Sequence, residues 1–252
     1  MYKILFIAVV IIFSSCTPLK KLKYLQDYDS KVSNKDTVTN KIPEYKVRSG
    51  DILYLKILGL DEKTFSFFNT QEIGYGGYNN ITVYLNSFSV TDSGFINIPV
   101  IGQIFIKDNT ILEIQKKIQL ALDTYITQGT AIVRLANFNI SVLGEVNKPG
   151  SFTVYDDKIT IFQALGLAGD MTVYGNREKV TIIRNTTKGI TVNYFNVNKK
   201  DIIKSEFYYI YPSDIIYIEP LKTKTYGFAT FPIATILTAI STLILTLNYI
   251  SK

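Results

Sequence analysis

The sequence predicts an α+β fold, with two small mixed units set between two apolar chain ends. Short runs rich in β-branched and aromatic residues recur through the middle of the chain, separated by Gly, Pro, Asn and Asp. Two stretches, 109–126 and 160–170, instead carry helical spacing behind a capping residue. The chain is 47% hydrophobic and 19% charged, which is enough apolar material for real cores over 252 residues.

The composition restricts the chemistry. The chain has no histidine and one cysteine, so Ser-His-Asp and Cys-His nucleophile systems, the common zinc sites and an intrachain disulfide are excluded. We expect no metal and no organic cofactor. The net charge of +6 comes from 27 basic and 21 acidic residues that are mostly scattered. Only Lys20, Lys21 and Lys23 form a tight basic cluster. Because the other basic residues are scattered, no nucleic-acid partner is predicted.

Residues 1–15 have the anatomy of a signal peptide. An apolar run from Ile4 to Phe13 is followed by the small residues Ser14 and Ser15, directly before the chain's cysteine, Cys16. This resembles a bacterial lipoprotein signal, and the resemblance implies a covalent lipid on Cys16 as the first mature residue. A plain N-terminal membrane anchor with a free cysteine is the alternative. The polar stretch 16–42 is predicted to be a tether.

The C-terminal segment carries no charge from Tyr226 to Ser251 and is predicted to be a transmembrane helix over 226–250. Its hydroxyl side chains recur at helical spacing on one face, opposite a face of Ile and Leu. The face consists of Thr235, Thr238, Thr242 and Thr246. Two interpretations remain open: the threonines line a pore, or they bond their own helix carbonyls and pack against a neighbour.

The middle of the chain is predicted to form one α+β unit over 43–137 and a second, of β-grasp type, over 138–222. In the first unit the clearest hairpin signal is the turn Asp92-Ser93-Gly94 between two strands. In the second, "VLGEVNKPGSF" (142–152) predicts strand, turn and strand. The turn and motif residues we single out are Gly50, Asp51, Asp92, Gly94, Pro99, Gly102, Gly144, Pro149, Gly150 and Gly169.

In "VLGEVNKPGSF", Gly144 is expected to allow close backbone approach, and Pro149-Gly150 to set the turn. On this interpretation Gly150→Val should fail in assembly or export. Gly169, in "GLAGD", is interpreted as a helix exit, because no Lys-Ser/Thr follows as in a phosphate loop.

Few residues offer catalytic or binding chemistry. Asp156-Asp157 is the one adjacent carboxylate pair, but sequence neighbours point apart, so a solvated turn is favoured over a glycosidase pair. Five basic residues are candidates for an anionic glycan or ordinary surface charge: Lys46, Arg48, Arg134, Arg177 and Arg184. No catalytic residue and no metal site is predicted.

Three stretches together resemble the outer-membrane polysaccharide export lipoproteins, the Wza-like family. They are "YKVRSGDILYLKI", "VTDSGFINIPVIGQIFI" and "VLGEVNKPGSFTVYDDKITIFQALGLAGDMTVYGNREKVTIIR". The last is similar to a soluble-ligand-binding β-grasp (SLBB) module, with Gly144, Val146, Pro149, Gly150, Ala168 and Gly169 at the motif positions. The likeness covers about 43–250, with one departure: the family's Asp-Gly-x-Ile is Asp92-Ser93-Gly94-Phe95-Ile96 here.

The resemblance implies a ring of identical subunits, lipid-anchored with its modules in the periplasm, whose C-terminal helices form a barrel through the outer membrane. The implied cargo is a capsular polysaccharide or exopolysaccharide, and the implied partner is an inner-membrane polysaccharide copolymerase. No enzymatic activity is expected. Two rivals stay open: a periplasmic glycan-binding lipoprotein with a simple C-terminal anchor, and a carboxylate-based glycan hydrolase or lyase.

Overall fold

The computed structural model describes residues 22–26, 40, 44–59, 84–126, 128–186, 189–226 and 233–250. The predicted signal peptide and Cys16 lie outside these residues. The strands of the described part are β1 Ile52–Leu58, β2 Ser87–Ser89, β3 Phe95–Ile98, β4 Gly102–Phe105, β5 Thr130–Leu135, β6 Asn139–Gly144, β7 Gly150–Thr153, β8 Ile159–Thr160, β9 Gly175–Thr186, β10 Gly189–Phe195, β11 Tyr209–Ile210 and β12 Ile215–Pro220. The helices are α1 Ile111–Leu122, α2 Ile161–Leu167, α3 Lys222–Tyr226 and α4 Ile233–Ile250, with a 3₁₀ turn at Lys200–Lys204. The predicted α+β class is confirmed.

The first unit is built around an antiparallel sheet of order β2-β1-β5. Alternate residues of β1 point into the core, as expected of a strand with one covered face. The hairpin β3–β4 and one face of α1 complete that core. Its members include Leu53, Leu55, Ile57, Ile96, Ile98, Ile106, Ile114, Ile118, Leu122 and Val133.

The predicted hairpin about Asp92-Ser93-Gly94 is wrong in its pairing. Strand β3 pairs with β4 across the turn that contains Pro99, while β2 pairs with β1. Backbone bonds between Asp51 and Val90, and between Gly50 and Val90, direct the chain before the turn onto β1. The turn itself is closed locally, since Thr91 accepts the backbone N–H of Phe95 on its hydroxyl at 3.0 Å. A tight turn therefore joins strands of two different sheets.

Helix α1 begins where the sequence predicts. Thr110 is the N-cap and forms a capping box with Glu113, each side chain accepting the other residue's backbone N–H. Ile114, Ile118 and Leu122 form its buried stripe. Helix α2 begins in the same way, with a capping box formed by Thr160 and Gln163.

The second unit is a five-stranded sheet of order β10-β9-β12-β6-β7. The pair β12–β6 is parallel, with Ile216 opposite Val142, and the other neighbours are antiparallel. Helix α2 and the small pair β8–β11 lie at the inner face of this sheet. The core there includes Ile140, Val142, Ile161, Leu165, Val180, Ile182, Val197, Ile210, Ile216 and Ile218.

Part of the predicted tether is attached to this second unit. Leu25 donates its N–H to the carbonyl of Val197 at 3.2 Å, and Gln26 donates to Asn198. The ring of Tyr24 packs edge-on against Phe162 at 5.6 Å. Residues 22–26 are thus held on the second unit by hydrogen bonds and an aromatic contact.

The C-terminal segment differs from the predicted helix over 226–250. Helix α3 ends at Tyr226, and α4 begins at Ile233. Among the described residues, no helix has the length and apolar character needed to cross a membrane. The predicted transmembrane helix is therefore not found.

Candidate functional site

A buried ion pair lies at the end of the second unit that faces the first. The Arg184 guanidinium donates from Nε and Nη2 to the Asp214 carboxylate, at 3.0 and 2.7 Å, and both side chains are buried. The guanidinium also lies 4.1 Å from the ring centre of Tyr211. Burial raises the pKa of Asp214, and the Arg184 charge opposes that rise. Removing either side chain would leave the other as an uncompensated buried charge.

Residues of the first unit extend this cluster across the boundary. Tyr45 packs edge-on against Tyr211 at 6.0 Å between ring centres and donates its hydroxyl to Asp51 at 2.7 Å. Arg48 donates from Nη1 to the carbonyl oxygen of Asn185 at 2.5 Å. Burial raises the pKa of Tyr45, as does the neighbouring Asp51 charge. We call Tyr45, Arg48 and Asp51, together with Arg184, Tyr211 and Asp214, the interunit cluster.

Asp51, one of the predicted motif residues, has a defined role in the first unit. Its carboxylate accepts the backbone N–H of Arg48 at 2.8 Å as well as the Tyr45 hydroxyl. Burial raises its pKa, while those donors pull it down. Beside it, Ser49 donates its hydroxyl to Asp92 at 2.8 Å, which links the turn at Gly50 to the turn before β3. The motif residues here hold turns together.

The basic residues considered for glycan binding are mostly engaged in structure. Arg184 is in the ion pair, and Arg177 is buried, donating to the carbonyls of Thr172 and Met171 at 3.0 and 3.1 Å. Arg134 pairs with Asp157 at 3.1 Å, with both side chains largely exposed. Neither buried arginine is accessible to a polymer. Arg48 and Arg184 do come together in the interunit cluster, but Arg184 is buried there in its ion pair, and Arg134 and Arg177 have other partners.

The carboxylate pair offers no catalytic arrangement. Asp156 and Asp157 are both exposed, and Asp157 faces Arg134. Within the described ranges, no group of three or more Cys, Asp or Glu side chains could hold a metal ion. The turn is solvated, as the sequence predicts.

The singled-out glycines divide into two groups. Gly50, Gly94, Gly102, Gly144 and Gly169 have φ between +71° and +91°. Two of them are also crowded: a Cβ on Gly144 would lie 2.1 Å from the Ile218 carbonyl oxygen, and one on Gly94 would lie 2.6 Å from Cβ of Lys107. Gly150 begins β7 without a positive φ, and a Cβ there would meet nothing within 4 Å. The structure therefore gives no steric reason for the expected failure of Gly150→Val.

Two loops of the second unit pack together at the end where β9 begins, opposite the turn that joins β9 to β10. We call them the tip: residues 145–149, which include Pro149, and 167–174. Asn147 donates its N–H to the carbonyl of Asp170 at 3.0 Å and Lys148 donates to that of Ala168 at 2.8 Å. The side chain of Asn147 reaches the Gly169 carbonyl at 2.7 Å. "VLGEVNKPGSF" and "GLAGD" thus form one structural feature, a link that their sequences do not reveal.

The tip also holds the residues that precede the C-terminal helix. Leu221 donates its N–H to the carbonyl of Tyr174 at 2.7 Å, and Lys224 of α3 forms an ion pair with Glu145. Thr172 donates its hydroxyl to the same carboxylate at 2.9 Å. These contacts hold the pKa of Glu145 below its ordinary value, chiefly through Lys224. Sequence reasoning missed this pair, because 79 residues separate its members.

The threonine hydroxyls of α4 bond within the helix. Thr238 donates to the Thr235 carbonyl at 2.9 Å, Thr242 to that of Thr238 at 2.8 Å, and Thr246 to that of Thr242 at 3.0 Å. All described side chains of this helix, residues 234–250, are exposed in the single chain. The hydroxyl stripe is therefore compatible with either interpretation, since an intrahelical donor still presents oxygen lone pairs outward.

The first unit is similar to known proteins. Residues 39–136 match the family model described as polysaccharide biosynthesis/export protein. The chain is 26% identical over 159 residues to the EPS I polysaccharide export outer membrane protein EpsA of Ralstonia solanacearum, covering 59% of this chain and 41% of the relative. It is 25% identical over 154 residues to the protein of the same name from Ralstonia nicotianae, covering 57% and 39%.

The matched part of the chain thus spans about two fifths of the length of these relatives. The comparisons confirm the resemblance predicted from "YKVRSGDILYLKI" and "VTDSGFINIPVIGQIFI", which both lie within the matched range. The family model ends at residue 136, before the second unit begins.

Proposed function

Because residues 39–136 form a polysaccharide biosynthesis/export domain, we propose that this chain is a subunit of an outer-membrane translocon that exports a capsular polysaccharide or exopolysaccharide. The observation that carries the proposal is the match of that domain, together with two similar proteins that are outer-membrane polysaccharide export proteins by name. The proposed role is transport, with no bond made or broken by the chain.

The described side chains support a framework role over a chemical one. Arg184, Asp214 and Arg177 are buried in contacts that hold backbone and loops, and the carboxylate pair is solvated. The interunit cluster joins the two units through Tyr45 and Tyr211. A subunit that must keep its shape against identical neighbours gains from such cross-links, because a closed ring requires one fixed angle between successive copies.

The second unit, 138–222, is proposed to be an SLBB β-grasp module that contributes to that ring. Two features support the assignment: its first and last long strands, β6 and β12, pair in parallel, and helix α2 covers one sheet face.

The C-terminal helices of the ring are proposed to gather around the conduit at the outer membrane. An exposed helix without charge needs other apolar surface around it, and identical helices from neighbouring subunits supply it. In such an assembly the face with Thr235, Thr238, Thr242 and Thr246 lies toward the hydrated polymer, and the Ile and Leu face lies away.

We further propose that Cys16 carries the lipid and that the two units lie in the periplasm. The remaining partner is an inner-membrane polysaccharide copolymerase, by family resemblance. The alternative is a periplasmic glycan-binding lipoprotein with a simple C-terminal membrane anchor, in which the hydroxyls of Thr238, Thr242 and Thr246 serve only their own helix. In that case the subunit works alone.

Deletion of the gene tests the export role. We expect surface polysaccharide to disappear and to return when the intact chain is supplied. A matched complementation with Gly94→Val, which places a branched side chain against Lys107 and Phe105, should restore much less export. Unchanged surface polysaccharide in the deletion strain would overturn the proposal.

A further inference from the structure

The tip of the second unit holds both ends of the folded chain. On one side, Tyr24 donates its hydroxyl to Asp170, and the Arg177 guanidinium lies 5.3 Å from the Tyr24 ring centre. On the other, Leu221 bonds Tyr174 and Lys224 pairs with Glu145. Asp170 and Tyr174 are four residues apart in one loop. The N-terminal segment and α3 are therefore attached to the same small region.

The chain beyond each attachment is short. Cys16 is six residues before Leu22, and α4 begins seven residues after Tyr226. At about 3.3–3.6 Å per residue, neither connection extends more than about 25 Å. A lipid at Cys16 and the uncharged α4 are thus both limited to the vicinity of the tip, whatever path the connections take.

The surface of the tip has the chemistry of a membrane contact. Val173, 61% exposed, and Leu167, 43% exposed, present apolar side chains to solvent. In the tip and the two segments attached to it, 22–26 and 221–226, the exposed basic side chains are Lys23, Lys148, Lys222 and Lys224, and the carboxylates are Asp170 and Glu145. Four positive charges against two negative ones leave a net positive surface. Exposed apolar side chains together with an excess of lysines suit a phospholipid headgroup layer, which accepts both.

We propose that the tip contacts the phospholipid headgroups of the periplasmic leaflet, so that Val173 and Leu167 enter the interface and Lys148 lies against lipid phosphate. The inference rests on the proposed function for the location at the outer membrane. It goes beyond it by assigning a lipid-contact surface to loops of the second unit. This contact sets the distance between the two folded units and the membrane surface.

The absence of tryptophan from the sequence supplies a direct probe. In the full-length lipidated protein, Val173→Trp introduces a single tryptophan at the tip, and Leu167→Trp a second, independent reporter. Val192→Trp is the matched control, because Val192 is also an exposed valine of the second unit but lies on strand β10. Each protein is reconstituted into vesicles of phosphatidylethanolamine and phosphatidylglycerol with brominated acyl chains, which quench nearby tryptophan.

We expect quenching at 173 and 167 to exceed that at 192 at least twofold. Adding Lys148→Gln to Val173→Trp should reduce the quenching, since each lysine near an anionic surface strengthens contact roughly fivefold. Equal quenching at 173 and 192 in protein that floats with the vesicles overturns the inference and leaves the export role standing. Protein that does not float with the vesicles overturns both.

Discussion

Gly144 on strand β6 lies so close to Ile218 on strand β12 that a Cβ would stand 2.1 Å from the Ile218 carbonyl oxygen. The two residues are partners in the parallel ladder, and the carbonyl of Ile218 accepts the N–H of Glu145 at 3.0 Å. Gly144 also has a φ of +89°. Close approach and a left-handed backbone therefore coincide at the start of the tip, and they require glycine there.

Gly144→Ala should lower the free energy of unfolding by more than about 2 kcal/mol, because the strained φ and the clash with a backbone oxygen add. Gly150→Ala is the matched control, since that glycine has open space and no positive φ. Its effect should stay within about 0.5 kcal/mol. Urea unfolding measures both, and equal midpoints for the two variants would refute the role given to Gly144.

Asp214→Ala should destabilise the chain by about 3 kcal/mol, because it leaves the buried Arg184 guanidinium without its carboxylate. Asp157→Ala removes the partner of an exposed arginine, and should change stability by less than about 1 kcal/mol. Thermal and urea unfolding of the two variants give the comparison. A small effect at Asp214 would show that the interunit cluster does not depend on the ion pair.

The Glu145–Lys224 pair predicts a pH dependence. The folded pKa of Glu145 lies below its ordinary value of 4.5, so the folded state binds fewer protons than the unfolded state as the pH falls. The stabilisation is present above that ordinary value and is lost as the pH falls through the lowered pKa. Glu145→Gln should be less stable than the parent near pH 7, and the difference should shrink near pH 3.

Asp156→Asn, at an exposed position, serves as the control for this titration. Its unfolding midpoint should follow that of the parent at both pH values. A gap between Glu145→Gln and the parent that stays constant with pH would mean that the carboxylate charge does not stabilise the tip.

The threonine face of α4 is tested by water-borne thiol reagents. Thr238→Cys and Thr242→Cys should react in the assembled protein, while Ile240→Cys and Ile244→Cys on the opposite face should be protected. If Cys16 is lipidated as proposed, its thiol is blocked, and the introduced cysteine is the one that reacts. Protection at both threonine positions would contradict the water-lined conduit.

Local signals predicted the parts of this fold that depend on a few neighbouring residues. Thr110 with Glu113, and Thr160 with Gln163, each form a capping box within one helical turn, so spacing alone reveals the helix starts. The strand pairing after Gly94 was predicted wrongly, because the choice of partner strand depends on distant backbone bonds.

The candidate site depends more on distant contacts. Arg184 and Asp214 are 30 residues apart, and Tyr24 lies 146 residues before Asp170. Nothing in the local sequence indicates which basic residue will be buried. Gly144 and Gly150 likewise look equivalent as glycines beside strands, yet only the first approaches another strand's backbone. Long-range packing decides such cases, and periodicity does not report it.

The mass and rotational symmetry of the complex extracted in mild detergent test the translocon most directly. We predict a closed ring of identical subunits, with a mass that is an integer multiple of the lipidated chain. A homogeneous monomer under the same conditions, from cells that display the polymer, would contradict the ring and favour the glycan-binding lipoprotein.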